Sequence, residues 1–314
     1  MSRKSAAERN TGRNTRRKDA INIHRAKEDS LGCPITPHVE ALVELAIEED
    51  LGRGDITTQS VMLEPLESQA RITARQDLVI CGLELAAYVF ARVDPSLQFS
   101  PLAADGDDVS KGQEVALISG PTACLLAAER LALDFLMRMS GVATITRKYV
   151  RIVTATGAQA KVVDTRKTIP GWRVLDKYAV AKGGGQNHRM DLGSGILIKD
   201  NHIAACGSVW ETVCRARKLA PHGLRIEVEV RTMDELDQAL DAGADIVLLD
   251  NMSIEEIAAS VEKAKGRALT EASGGINIDT IAGIAMTGVN MISIGRLTHS
   301  APAVDLAMDL QAST

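Results

Sequence analysis

The chain of 314 residues is poor in aromatic side chains, with two Trp, three Tyr and three Phe, or 3% of the total. The core must therefore be built from Ala, Val, Ile and Leu, and the base-stacking platforms of many nucleic-acid-binding proteins are missing. No run of about 18 uncharged apolar residues occurs, and the N-terminus carries no apolar signal segment. We therefore expect a cytoplasmic protein whose partners include neither a membrane nor a nucleic acid.

Paired cysteines are also missing. The five cysteines stand at positions 33, 81, 124, 206 and 214, and none has the short spacing of a zinc site or a redox motif. We interpret them as small buried residues in a reducing compartment. A convincing nucleophile is missing too, since neither Cys206, Cys214 nor Ser273 has an obvious base beside it, so covalent catalysis is disfavoured.

The net charge of −5 is unevenly distributed. Residues 1–30 carry nine Lys and Arg against four Asp and Glu, and residues 161–202 carry eight against four. We interpret residues 1–32 as a basic flexible extension, with an organelle transit peptide as an open alternative. The second cluster lies within an otherwise acidic chain and predicts a local binding site for an anion.

Two regions that differ in the predicted order of strands and helices follow this extension. From Pro37 to about residue 60, the first contains an amphipathic helix that runs into a turn at Leu51-Gly52-Arg53-Gly54-Asp55. Short strands follow between residues 68 and 120, and then a long helix over Thr122–Met139 that ends at Ser140-Gly141. We therefore expect an antiparallel sheet with helices over residues 33–145.

The second region repeats a strand followed by a helix. Apolar runs lie at 160–163, 195–198, 225–230, 245–249, 268–272 and 291–294. Helix starts are marked by Ser208 with Glu211, Thr232 with Glu235 and Ser253 with Glu256. Six such units predict parallel strands in an α/β barrel.

Polar or glycine residues end all six predicted strands. These are Asp164 to Lys167, Lys199-Asp200, Glu227 and Glu229, Asp250, Ser273-Gly274-Gly275, and Gly295-Arg296. Because the carboxyl ends of barrel strands face the active site, we expect these groups to converge.

The residue types at this edge predict a substrate with a ribose and phosphates. Arg166, Lys167, His188, Arg189 and Lys199 supply cations for carboxylates and phosphates. The loops Ser273-Gly274-Gly275 and Ile294-Gly295 allow backbone N–H groups to approach a phosphate. Glu229 and Asp250 suit ribose hydroxyls or a magnesium ion on diphosphate, although pairing with Lys199 is the structural alternative. We expect catalysis by positioning and charge stabilisation.

The order of motifs resembles the quinolinate phosphoribosyltransferase family over about residues 35–310. The central motifs are Thr165-Arg166-Lys167-Thr168, Pro170-Gly171, Lys177-Tyr178-Ala179-Val180, Gly183-Gly184-Gly185, Asn187-His188-Arg189 and Lys199-Asp200-Asn201-His202. Supporting motifs include Glu129-Arg130, Ser140-Gly141, Glu227-Val228-Glu229, Leu249-Asp250-Asn251, Ser273-Gly274-Gly275 and Ser293-Ile294-Gly295. The chain departs from the family pattern at Met190-Asp191, and Arg231 adds a charge after Glu229.

The resemblance implies an α/β fold in which an incomplete α/β barrel follows an α+β sandwich domain. We place the sandwich at residues 33–145, the barrel at 146–300, and a C-terminal helix at 301–314 that packs back on the sandwich. The resemblance also implies a homodimer or a hexamer, with Arg130 donated across the interface to the neighbouring site.

The implied reaction is phosphoribosyl transfer from phosphoribosyl diphosphate to quinolinate with decarboxylation, in NAD biosynthesis, with Mg²⁺ bound to the diphosphate. The catalytic residues would be Lys199, Glu229 and Asp250, and the last two would also face the metal. Substrate would be bound by these three and by Arg130, Arg166, Lys167, His188, Arg189, Ser273, Gly274, Gly275 and Gly295. The alternatives are the molybdenum-transport-associated paralogue of this fold, or a sensor of phosphoribosyl metabolites without catalysis.

Overall fold

A computed structural model describes residues 32–311 of the chain. The helices are α1 Pro37–Leu51, α2 Ile56–Val61, α3 Leu83–Val93, α4 Thr122–Ala155, α5 Arg173–Lys182, α6 Asp200–Cys206, α7 Val209–Leu219, α8 Met233–Asp241, α9 Ile254–Ala264, α10 Ile281–Met286 and α11 Arg296–His299. The strands are β1 Glu67–Ala74, β2 Leu78–Val79, β3 Gln98–Pro101, β4 Asp108–Val109, β5 Glu114–Pro121, β6 Lys161–Val163, β7 Ile196–Ile198, β8 Ile226–Val230, β9 Ile246–Asp250, β10 Leu269–Ser273, β11 Met291–Ser293 and β12 Leu306–Gln311. Between residues 32 and 311, no helix is both long and apolar enough to cross a bilayer.

The N-terminal region is an antiparallel sheet with helices packed against it, as predicted. Its strand order is β12-β1-β5-β3, and α3 and α4 pack together beside it. Ala70, Ile72 and Ala74 of β1 are buried at alternate positions, which is the period expected of a strand with one face on a core. The basic segment at residues 1–31 lies outside the described residues.

The predicted C-terminal helix at 301–314 is wrong, because the described part of this segment forms strand β12. β12 pairs antiparallel with β1, with Leu306 opposite Ala74 and Leu310 opposite Ala70. The side chains of Leu306 and Met308 are buried two positions apart, a strand period that a helix cannot provide. Residues 312–314 are outside the described part of the chain.

Helix α4 does not end at Ser140-Gly141, as predicted, but continues to Ala155. Both residues are packing positions within the helix. The hydroxyl of Ser140 accepts a hydrogen bond from the backbone N–H of Cys81 at 2.9 Å. A Cβ on Gly141 would stand 2.1 Å from the carbonyl oxygen of Pro302, so only glycine lets this segment approach the helix. The division placed between residues 145 and 146 therefore falls inside a continuous helix.

The second region is an incomplete parallel barrel, which confirms the predicted fold class. Its strand order is β6-β11-β10-β9-β8-β7, and β6 and β7 stand at opposite edges without pairing. Gln186 forms a parallel bridge with Val163 of β6, so the loop before β7 lies along one side of the opening. Helices α7, α8 and α9 begin directly after Ser208, Thr232 and Ser253, as predicted. The side chain of each of these residues accepts a hydrogen bond from the backbone N–H three positions later.

The close approach at Gly141 gives a stability prediction. Gly141→Ala should destabilise the fold by about 1–3 kcal/mol, because the new methyl group displaces the backbone at Pro302. Alanine within a helix would otherwise be favoured over glycine by about 0.5–1 kcal/mol. Thermal unfolding of the purified variants measures the effect. The control is Gly223→Ala, since a Cβ there would meet no atom within 4 Å. Equal melting temperatures for the two variants would contradict the prediction.

Candidate active site

A buried ion pair anchors the loop that leads to the predicted cations. Asp164, at the end of β6, and Lys177, on α5, are 0% and 1% exposed and form an ion pair. Asp164 also accepts from Asn187 Nδ2 at 2.7 Å and from the backbone N–H of His188 at 2.8 Å. Lys177 donates to the carbonyl oxygen of His188 at 3.0 Å. Burial raises the pKa of Asp164 and lowers that of Lys177, so the pair holds its charges only because these partners are present.

Arg166 and Arg189 form a partly buried cationic centre beside this anchor. The Nε atoms of both arginines are buried and have no hydrogen-bond partner among the described residues. Arg189 donates from its guanidinium to the carbonyl oxygen of Gly195 at 2.8 Å. Burial and then the nearby charge of Arg166 lower the pKa of Arg189. Two guanidinium groups that repel each other and keep unused donors are suited to bind an anion with two carboxylates.

The ring of His188 faces protein groups on both sides. Its Nδ1 accepts from the backbone N–H of Arg189 at 2.7 Å, which places the ring proton on Nε2 when the side chain is neutral. Nε2 lies 3.1 Å from Glu227 Oε2 and 3.7 Å from Glu271 Oε1. Burial favours the neutral ring, but the hydrogen bond and charge of Glu227 outweigh burial and raise the pKa of His188.

Glu227 and Glu271 are two buried carboxyl groups inside the barrel. Burial, followed by repulsion from Glu227, raises the pKa of Glu271 to about 7. Together with His188 they offer three ligand atoms within 4.8 Å of one another, an arrangement that could hold a metal ion. They line a cavity of about 440 Å³ that also includes Ile246 and Met291 at the starts of their strands.

Of the two predicted acidic residues, Glu229 contacts Lys199, and Arg231 joins Glu229 to Asp250 at the carboxyl ends of β8 and β9. Lys199 Nζ lies 2.8 Å from Glu229 Oε2, and Arg231 binds Glu229 Oε1 at 3.1 Å. Arg231 also contacts Asp250 Oδ2 at 3.4 Å and Asp200 Oδ2 at 3.3 Å. Glu229 is thus held between two cations, and Arg231 bridges three carboxylates.

The glycine loops lie at the same edge of the sheet. The backbone N–H of Asn251 donates to the carbonyl oxygen of Ser273 at 2.9 Å, which joins the loops after β9 and β10. Gly274 has φ = 92°, and a Cβ there would stand 2.3 Å from Asn251 Oδ1, so glycine is required. At the next strand end, a Cβ on Gly295 would lie 3.1 Å from Lys167 Cδ and 3.2 Å from the His299 ring. Backbone and cation therefore come together as a phosphate site needs.

Arg130 is the predicted site residue that has no contact with the other predicted site residues within the described chain. It lies on α4 with 60% of its side chain exposed and pairs with Asp134, one helical turn away, at 3.3 Å. Its assignment to the site of a neighbouring subunit stays a prediction.

The sequence placed Asp164 and Glu227 among the strand-end groups and Lys177 in a family motif, but it gave no specific role to these residues or to Glu271 and His299. Two of them left a signal: Glu271 interrupts the apolar run at 268–272, and Asp164 directly follows the run at 160–163. A charge in or beside a buried strand requires a partner. The partners come from distant segments, so the sequence does not identify them.

Comparison with known proteins gives one family over both regions. The family model "Quinolinate phosphoribosyl transferase, N-terminal domain" matches residues 55–140, and the model of the C-terminal domain matches residues 142–309. A "Probable nicotinate-nucleotide pyrophosphorylase [carboxylating]" of Bacillus subtilis is 43% identical over 265 residues, which are 84% of this chain and 91% of that protein.

A plant relative and a solved structure point to the same family. The "Quinolinate phosphoribosyltransferase [decarboxylating] 2b, mitochondrial" of Nicotiana tabacum is 37% identical over 294 residues, covering 88% of this chain and 83% of that protein. The structure of the nicotinate-nucleotide pyrophosphorylase from Francisella tularensis superposes with a TM-score of 0.84 at 38% identity, covering 90% of this chain and all of that one.

The buried carboxyl of Glu271 gives a pH prediction. Because its folded-state pKa is raised from 4.5 to about 7, its contribution to stability is full below 4.5 and is lost as the pH rises through 7. Glu271→Gln stays neutral at every pH. The melting temperature of this variant minus that of the wild type should therefore become more positive between pH about 5 and about 8.5.

Glu262→Gln is the matched control, because Glu262 is 78% exposed. Its difference from the wild type should not change with pH. A Glu271→Gln difference that is the same at both pH values would show that Glu271 does not hold an extra proton in the fold.

Proposed function

The chain belongs to the quinolinate phosphoribosyltransferase family, and from that premise we propose how its barrel performs the reaction. The family transfers the phosphoribosyl group of phosphoribosyl diphosphate to quinolinate and releases diphosphate and carbon dioxide. The product is nicotinate mononucleotide, a precursor of NAD. The two neighbouring guanidinium groups of Arg166 and Arg189 carry the proposal, since they repel each other in the absence of an anion and quinolinate supplies two carboxylates.

Quinolinate is held in this proposal by the cationic centre at the end of β6. Arg166 and Arg189 bind its carboxylates through their guanidinium groups. His188 positions Arg189 by accepting a hydrogen bond from its backbone N–H. The Asp164–Lys177 pair fixes the loop that carries His188 and Arg189. The position of the pyridine ring is thereby set by groups that the fold holds before substrate enters.

Phosphoribosyl diphosphate occupies the ends of β9, β10 and β11. Ser273, Gly274, Gly275 and Gly295 bind its 5′-phosphate through backbone N–H groups, with Lys167 beside them. Glu229 and Asp250 accept hydrogen bonds from the ribose hydroxyls. Lys199 holds Glu229 in place at 2.8 Å and adds a positive charge for the departing diphosphate.

The predicted magnesium ion does not fit directly between Glu229 and Asp250. Both oxygens of Glu229 are bound by cations, and Asp250 Oδ2 accepts from Arg231 and, at 2.9 Å, from Asn251. A metal ion bound by both Glu229 and Asp250 would have to displace the guanidinium group of Arg231. We therefore assign magnesium to the diphosphate of the co-substrate rather than to the protein.

The chemical steps follow from these positions. The pyridine nitrogen attacks the anomeric carbon as the bond to diphosphate breaks, and positive charge develops on the ribose. The carboxylates of Glu229 and Asp250 lie where they stabilise that charge. The bond from the ring to the 2-carboxylate then breaks, carbon dioxide leaves, and the ring carbon takes up a proton. In this proposal, loss of the carboxylate is favoured when the bound quinolinate is shielded from water.

The proposed assembly is a homodimer or a hexamer, in the cytoplasm. Exposed apolar side chains are concentrated near the N-terminal helices, at Leu45, Ile56, Val61, Leu63 and Leu66. Such a patch is typical of a surface that another subunit covers. The exposed guanidinium of Arg130 would then complete the site of the neighbouring subunit.

A sensor without catalysis, or the molybdenum-associated paralogue, is disfavoured by the site itself. The five cations predicted from the sequence and both strand-end carboxylates are present.

The assignment of the cations predicts loss of turnover in two variants. Arg166→Ala or Lys199→Ala should lower quinolinate-dependent release of diphosphate and carbon dioxide by at least about a hundredfold, because each removes a charge that binds a reacting group. Arg215→Ala is the control, since Arg215 is 56% exposed and pairs with Glu211 on α7. Near-normal turnover in a folded Arg166→Ala or Lys199→Ala variant would contradict the assignment.

The proposed interface predicts complementation between inactive variants. If Arg130 serves the neighbouring site, a mixed dimer of Arg130→Ala and Arg166→Ala contains one site with both substitutions and one with neither. Mixing the two inactive proteins should restore up to about one quarter of wild-type activity, given random exchange of subunits. Exchange is followed with differently tagged subunits. Proven exchange without recovery would count against a shared site.

A further inference from the structure

Arg231 occupies the centre of the strand-end carboxylates. Its guanidinium nitrogens lie 3.1 Å from Glu229, 3.3 Å from Asp200 and 3.4 Å from Asp250. These three carboxylates come from different segments: Glu229 from β8, Asp250 from β9 and Asp200 from the start of α6. A single side chain therefore joins the ends of three neighbouring barrel units.

The carboxylates need a cation at this point. The side chains of Glu229 and Asp250 are only 8% and 15% exposed, so water screens their charges poorly. Lys199 contacts Glu229, but no contact joins Lys199 to Asp250 among the described residues. Without Arg231, Asp200, Glu229 and Asp250 would keep three negative charges against one lysine. Such a set of oxygen ligands attracts a divalent ion.

We propose that Arg231 is the resident cation of this carboxylate group and that it restricts magnesium to the form carried by the substrate's diphosphate. A bare divalent ion would have to displace the guanidinium from three carboxylates. Magnesium on diphosphate need not compete with the guanidinium, because its oxygen ligands come mainly from the diphosphate and water. The statement about magnesium on diphosphate rests on the proposed function. The statement that Arg231 is the cation of the carboxylate group does not.

Arg231 is held so that it can perform this role. Its backbone N–H donates to Glu235 Oε2 at 2.7 Å, which ties the residue to the first turn of α8. The planar fork of arginine reaches several oxygens together, which the single ammonium of lysine cannot do.

The test is a titration with Mn²⁺ alone, followed by the electron paramagnetic resonance signal of the free ion. Wild-type chain without substrate should bind no stoichiometric Mn²⁺ that depends on Asp250, whereas Arg231→Gln should bind one such ion per chain at least about tenfold more tightly. Arg231→Lys should fall between the two. Adding Asp250→Asn to Arg231→Gln should remove the gain, which locates the ion.

Arg217→Gln is the matched control, because it removes one positive charge from an exposed arginine that pairs with Asp245 outside the group. It should bind Mn²⁺ like the wild type. The proposal is overturned if wild-type chain binds one Mn²⁺ without substrate and Asp250→Asn abolishes that binding, or if Arg231→Gln binds Mn²⁺ no more tightly than Arg217→Gln. None of the titrations needs turnover. Failure of the proposed function would appear instead as a wild-type chain without quinolinate-dependent diphosphate release.

Discussion

The ion pair between Asp164 and Lys177 is the interaction on which the geometry of the site depends. Removing two charges from water costs several kcal/mol for each ion, and their attraction offsets this only when further hydrogen bonds satisfy them. Here the additional partners are Asn187 and both backbone groups of His188. The contacts that offset the cost of burying Asp164 and Lys177 therefore also fix the path of the loop at Asn187 and His188. Arg189 takes its position from that loop, and Arg166 follows Asp164 by two residues.

Within the site, the carboxylates are paired with cations of the same chain, whereas part of each arginine of the cationic centre is not paired among the described residues. The carboxylates at the ends of β8 and β9 are neutralised by Lys199 and Arg231 within the chain. The guanidinium Nε atoms of Arg166 and Arg189 have no such partner within residues 32–311. In the proposed function, these two cations are positioned before the anionic substrate arrives, so little reorganisation is needed during the reaction. On that proposal, a local group of cations lets a chain with a net charge of −5 bind two anionic substrates.

The sequence predicted the six barrel strands and the residues at their ends, because hydrophobic runs and strand-end chemistry are local patterns. It did not predict the length of α4, since Ser140-Gly141 has the form of a helix end. The contact that requires glycine there involves Pro302, 161 positions later. The strand β12 was missed for a similar reason, because its pairing partner is at the other end of the chain. The network of Glu227, Glu271 and His188 depends on three segments, so no single stretch of sequence contains it.

The pairing of β12 with β1 has a consequence for the order of folding. The N-terminal sheet is completed by Leu306–Gln311, which follow all six barrel strands in the chain. During synthesis the edge of β1 must therefore remain without this neighbour until the whole barrel has been made. An uncovered strand edge can pair with other chains. The period between the synthesis of β1 and that of β12 is thus the period in which aggregation through this edge can occur.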